Sequence, residues 1–288
     1  MSVETISPSL DFWQDGWRRL KSNPSAMIGL SCLLLLILMA IIGPFLTPYT
    51  YYDTHLHLKN LPPSSQFWFG TDELGRDLFT RVWWGARISL LVGILASLID
   101  LVIGVLYGSI AGAASGKTDE LMMRICDILY SIPYLLAVIL LMVIIGSGIT
   151  TIIIALTLTG WISMARIVRG QILQIKELDF VKAAEVAGAS KFRILWRHLI
   201  PNCMGPIIIT MTLTIPSAIF AEAFLSFLGL GVQAPIASWG TMANDGLPAL
   251  RYYPWRLFFP AGFISLTMLS FNLLGDGLRD AFDPKLRI

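Results

Sequence analysis

The chain has 288 residues, of which 55% are hydrophobic and only 14% charged, with a formal net charge of +2. Ordinary soluble domains carry about 25% charged residues, so this composition excludes a disordered chain, a nucleic-acid binder built on a basic face and most soluble enzymes. The class that fits is an integral membrane protein.

Crossing a bilayer takes about 20 mostly apolar helical residues, and six stretches qualify. The first, Ala26 to Leu46, holds no charge. It is longer than the core of a cleavable signal and no A-x-A site follows, so it reads as a retained anchor. Residues from about Pro48 to Trp84 are too polar to span, and Trp68, Trp83 and Trp84 suit an interfacial belt. Docking of a partner and packing against the helix ends are both open readings there, and again for the segment from Gly229 to Tyr253.

The second stretch, about Ile88 to Ala114, carries Asp100 near its middle. Gly104, Gly108, Gly112 and Gly116 recur at every fourth position and predict close approach of another helix. The run Gly112 to Thr118 imitates a phosphate-cradling loop but is one residue short and follows a membrane span rather than a strand. No nucleotide site is expected there.

The third stretch, about Leu121 to Gly146, holds Arg124, Asp127 and Pro133. It connects tightly through Gly146-Ser147-Gly148 to a short fourth, Ile149 to about Ala165. The fifth, Cys203 to about Leu230, contains Pro206, Pro216 and Glu222, and the sixth runs from about Leu257 to Leu274. Prolines at membrane depth break helical hydrogen bonds, which is tolerated beside a neighbouring helix or a water-filled cavity. Cys32, Cys126 and Cys203 form no CxxC pair and read as small apolar residues. Asp100 and Glu222 are the carboxyls placed deepest, and each reads either as part of a solute or proton path or as a bond between helices.

With the amino terminus inside, fifteen of the 21 basic residues fall on the cytoplasmic side, including Arg279, Lys285 and Arg287 at the tail. The richest cytoplasmic loop joins spans four and five. There Ala183, Ala184 and Ala187 lead to Gly188, a helix stop, and Ser190 can cap a second helix bounded by Pro201. Phe192, Leu195, Trp196 and Leu199 fall at i, i+3, i+4 and i+7 and predict one apolar face. Such a helix can lie on lipid or seat in a groove of a soluble partner.

The spacing Ala183-Ala184-x-x-x-Gly188, followed by twelve residues and then Pro201, resembles the coupling loop E-A-A-x-x-x-G of binding-protein-dependent ABC importer permeases, with Lys182 in place of the glutamate. Gly70-TDELGRD-Leu78, Phe227-LGLGVQAP-Ile236 with Ser238-Trp239-Gly240, and Asn272-LLGDGLRDAFDPK-Leu286 are similar to the C-type subunit of the dipeptide/oligopeptide group, whose relatives include nickel and glutathione permeases.

The resemblance implies an all-α integral membrane protein with six transmembrane helices, the type I ABC importer transmembrane domain, and both termini cytoplasmic. Residues 1–87 would hold the cytoplasmic N-terminus, the first span and the outer loop. Residues 88–278 would form a five-helix core with the coupling loop at about 177–201, and residues 279–288 a cytoplasmic tail. The implied partners are a B-type permease, two cytoplasmic ATPases and an extracytoplasmic solute-binding protein, all set in or against the bilayer of a bacterial cytoplasmic membrane. No nucleic acid is implied. Lys182, Ala183, Ala184, Ala187, Gly188, Trp196 and Pro201 would engage the ATPases, which use ATP and magnesium. This chain itself would catalyse nothing and bind no cofactor or metal. The expected activity is inward movement of di- or oligopeptides by alternating access, with a nickel chelate or glutathione as other cargoes. A proton-coupled secondary transporter working through Asp100 or Glu222 is the rival from another class.

Overall fold

The computed structural model describes residues 12–114 and 116–282; the basic tail residues Lys285 and Arg287 lie outside them. The described residues form helices joined by irregular segments, with a single isolated β-bridge between Thr71 and Asp77. Five helical runs are long and apolar enough to span a membrane, and a sixth crossing follows if one bent pair counts as one span.

A short helix, α1 (Phe12–Ser22), precedes the first span. Sequence periodicity had not singled it out. It lies against the far end of the chain, where Trp13 meets the Phe282 ring edge-on at 5.8 Å and Leu20 packs with Ala26, Ala281 and Phe282. The first span, α2 (Pro24–Ile42), starts where the Asn23 side chain accepts the Ala26 N–H and Pro24 needs no partner.

Helix α3 (Leu78–Ala114) is the longest and the most central, packing on α2 and on two later spans. It begins ten residues before the apolar stretch suggests, so a boundary at residue 88 falls inside it. The early turns are tolerated because Asp77 caps them: its Oδ2 accepts both the Thr80 N–H and the Thr80 hydroxyl, at 2.8 and 2.7 Å.

The third apolar stretch is bent into two helices. Helices α4 (Gly116–Tyr130) and α5 (Tyr134–Ile145) meet at 78° around Ser131, Ile132 and Pro133, because proline cannot donate and clashes with the preceding turn. Gly146, at φ +93°, then turns the chain tightly into α6 (Ile149–Thr157). Its continuation, α7 (Trp161–Ile175), runs ten residues past the expected end of the fourth span. Charge pairing makes that extension possible: Arg166 bonds Asp127 at 2.8 Å, and Arg169 grips both oxygens of Asp119 at 2.5 and 2.6 Å, tying α7 to α4.

Three of the four repeating glycines do what their spacing predicts. A Cβ on Gly104 would run into Met164, one on Gly108 into the Ala165 backbone and one on Gly112 into Ile172, all on α7. Gly116 is different. It meets nothing and sits at φ +59°, starting α4 rather than packing a helix. The span α11 (Met204–Phe227) stays helical through Pro216, and α13 (Trp255–Phe282) stays helical through Pro260. Pro206 lies in the first turn of α11, where no helical partner is required.

The polar segments at 48–77 and 229–253 fold onto the helix ends. Asp72 accepts the N–H groups of Leu74 and Arg76 and pairs with Arg76 at 2.6 Å and Arg81 at 3.4 Å. Arg256 reaches Glu73, the Asn60 side chain and the Asp245 carbonyl. Asp245 lies on α12 (Trp239–Gly246), and burial pushes its carboxyl up against the opposing pull of Arg81 and Arg76. Trp83 is a core residue rather than part of an interfacial belt. It is 5% exposed and packs edge-on to Phe263 at 4.7 Å, because Gly43 at the end of the first span and Phe263 on α13 close over it. Trp84 stacks on Tyr51, while Trp68 is half exposed.

Candidate functional site

Two places bear on function: a hairpin projecting from the bundle between α7 and α11, and a cavity among the spans. The hairpin opens with α8 (Asp179–Val186). Gly188, at φ +83°, closes it in a turn whose two bonds run from the Ala189 N–H to the Ala184 carbonyl and from the Gly188 N–H to that of Glu185. This pairing satisfies the last orphan carbonyls of the helix. Ser190 then accepts the Arg193 N–H at 3.3 Å and starts α9 (Lys191–Ile194).

Pro201 does not end the second helix. The backbone widens into a π-turn over Leu195–Leu199, with the Ile200 N–H reaching the Leu195 carbonyl, and continues as α10 (Ile200–Asn202). The wider turn makes room for a residue that cannot donate.

The single apolar face expected on this helix is split in two. Leu199 joins Val181, Ile194, Val168, Ile172 and Ile207 in a buried cluster that seats the hairpin on α7 and α11, with Leu195 half-buried against it. Phe192 and Trp196 stay outside at 72% and 47% exposure, their rings 6.0 Å apart. Val186, on the other arm, is 90% exposed. Of the residues expected at this contact, Lys182, Ala183, Ala187, Gly188, Trp196 and Pro201 are exposed and Ala184 is half-buried. The Lys182 ammonium pairs with Glu177 at 3.2 Å inside the hairpin.

Asp100 and Glu222 are placed apart. Glu222, on α11, is fully enclosed. Its two oxygens accept the hydroxyls of Ser89 on α3 and Ser226 at 2.9 and 2.8 Å, and Ser89 is also reached by the Trp239 N–H. The Glu222 carboxyl thereby fastens α11, α3 and α12 together. Asp100 sits four residues beyond the midpoint of α3 and lines an open cavity of about 470 Å³ with residues of α5, α7 and α11. Tyr134 and a series of serines and threonines complete its polar lining. Sequence reading passed over those hydroxyls. Their signal was present, since Thr210, Thr214 and Ser217 recur at i, i+4 and i+7 on one face of α11.

Residues 104–288 match the family model of the binding-protein-dependent transport system inner membrane component, and residues 11–63 match the N-terminal transmembrane domain of oligopeptide transport permease C. The chain is 64% identical to the dipeptide transport system permease protein DppC of Bacillus subtilis, over 97% of this chain and 88% of the relative. It is 61% identical to the oligopeptide transport system permease protein OppC of the same organism (99% and 94% covered), and 46% identical to OppC of Escherichia coli (99% and 97%). In fold it is similar to an inward-facing form of the MetNI methionine ABC transporter, with a TM-score of 0.58 at 18% identity over 69% of this chain and 94% of the other. Spans, hairpin and sequence agree, and the chain belongs to the binding-protein-dependent inner membrane components, as a multi-pass, non-catalytic permease subunit of an ABC importer.

Proposed function

We propose that this permease admits di- or oligopeptides into the cell, driven by ATP that partner subunits hydrolyse. The observation that carries the cargo is the 64% identity to a dipeptide permease along nearly the whole chain. The family assignment favours this over the proton-coupled reading. In the proposed orientation both termini and the α8–α9 hairpin are cytoplasmic, in keeping with the basic residues gathered there. A second, B-type permease completes the pathway, and a solute-binding protein delivers cargo to the outer face.

Two ATPases grip the two coupling hairpins. On this chain the grip falls on Lys182, Ala183, Ala184, Ala187, Gly188 and Trp196, where small side chains let a partner approach the backbone and the aromatic pair offers an anchor. ATP-driven closure rocks the packed spans between inward and outward openings. The buried half of the hairpin, Val181, Ile194 and Leu199, transmits that push to α7 and α11. The cavity beside Asp100 belongs to this chain's share of the path.

Uptake by cells lacking this chain tests the cargo. Restoring it should restore ATP-dependent accumulation of a labelled dipeptide or oligopeptide. Restored uptake of nickel or glutathione, with no peptide uptake, would overturn the assignment.

A further inference from the structure

The cavity beside α3 has a one-sided chemistry. Among the described residues no lysine or arginine lines it, and Asp100 is its one ionisable carboxyl. Asp100 faces the backbone N–H of Trp161, yet its Oδ1 has no hydrogen-bond partner. The hydroxyl of Tyr134, also in the lining, has none either. The α11 hydroxyls are oriented by their own helix: Thr210, Thr214 and Ser217 donate to the carbonyls of Pro206, Thr210 and Leu213 at 2.8, 2.9 and 3.0 Å. Their protons are committed, so what they present to the cavity is lone pairs.

A carboxylate oxygen without a partner is costly at membrane depth. With the three α11 hydroxyl protons committed to their own helix, it suits a donor-rich cation. A primary ammonium has three donors and no acceptor, which matches one carboxylate oxygen flanked by hydroxyls. A resident divalent cation is a poorer match, because it takes six or more oxygen ligands, usually with several carboxylates.

We infer that the Asp100 cavity is a transient binding site for the primary ammonium group of a peptide in transit, with Tyr134 and the α11 hydroxyls as supporting acceptors. The ammonium is the peptide's own α-amine or a lysine ε-amine. The inference rests on the peptide reading above and adds the group that the membrane path recognises. One charge among neutral acceptors holds the cargo long enough to select it and loosely enough to release it, as conduction requires.

The test uses the whole transporter in proteoliposomes, supplied with binding protein and ATP. Uptake is compared for trialanine, N-acetyl-trialanine and N-acetyl-Ala-Lys-Ala. Selection by the binding protein is common to every permease variant, so the change in the free-to-acetylated uptake ratio isolates this chain. Asp100→Asn should lower that ratio about tenfold, the scale of one charge-assisted hydrogen bond. Tyr134→Phe breaks no internal bond and should lower it at least about twofold.

If uptake of the lysine peptide also depends on Asp100, the ε-amine suffices; if it does not, the α-amine is the group read. Either result supports the inference. A ratio equal to wild type in Asp100→Asn overturns it. Should that variant fail to assemble, an unchanged ratio in Tyr134→Phe overturns it instead. Failure of the wild type to move any of the three peptides is a different result and counts against peptide cargo itself.

Discussion

In the α8–α9 hairpin, a single atom added at Gly188 probes backbone conformation alone. Its φ of +83° lies in the left-handed region, and a Cβ built there meets nothing within 4 Å. Steric crowding therefore contributes nothing, and the cost of a side chain is purely conformational. For alanine that cost is about 1 kcal/mol. Escaping it means giving up the Ala189–Ala184 and Gly188–Glu185 bonds, together worth about 2 kcal/mol. Gly188→Ala should therefore keep the turn and lose little function. A β-branched residue pays more, up to about 3 kcal/mol, which exceeds what the turn bonds return. In Gly188→Val the turn should open and α9 should lose its angle to α8. Asparagine tolerates this region, so Gly188→Asn should resemble wild type. The assay is peptide moved per ATP hydrolysed in the reconstituted transporter. The ratio should stay within about twofold of wild type for Asn and Ala and fall at least about fivefold for Val, with ATPase activity retained. Val equal to wild type would refute the role of the turn. Asn as damaging as Val would show that side-chain bulk matters rather than backbone conformation.

Other perturbations give distinct readouts. Glu222→Ala strands the hydroxyls of Ser89 and Ser226 and empties an enclosed site, so it should cost about 2–4 kcal/mol, measured as a lower unfolding temperature in detergent. Gly108→Val drives a side chain into the Ala165 backbone and should abolish a monodisperse chain on size-exclusion chromatography, whereas Gly170→Ala, with open space around it, should be tolerated. Trp196→Ala should reduce co-purification with the ATPases while leaving thermal stability within about 1 kcal/mol, since its ring is already half exposed. Lys182→Ala removes an exposed pair with Glu177 and should change stability by less than about 1 kcal/mol in the same thermal assay.

Membrane class and the places of the five candidate spans and the bent pair were legible because the bilayer imposes a length and an apolarity that a linear reading can measure. The hairpin stop at Gly188 and the cap at Ser190 were legible for a related reason: local backbone chemistry selects those residue types. Helix ends were less legible wherever a polar group meets a partner distant in sequence. Arg166 and Arg169 end an apolar run on paper, but Asp127 and Asp119 let α7 continue past them. The apolar stripe from Phe192 to Leu199 was likewise real, yet periodicity counts residues around one helix and says nothing of which half a neighbour covers. Packing on α7 took Leu199 and left Trp196 outside.

The two deep carboxyls show the division most clearly. The sequence by itself placed Asp100 and Glu222 inside apolar stretches and offered the same two readings for each, a solute or proton path or a bond between helices. Only the tertiary structure separated them, by closing Glu222 in with hydroxyl donors from α3 and α11 and by setting Asp100, with one oxygen unpartnered, at a cavity. A carboxylate's role depends on the direction of the hydrogen bonds around it, and that direction is set by side chains that meet only when the helices pack.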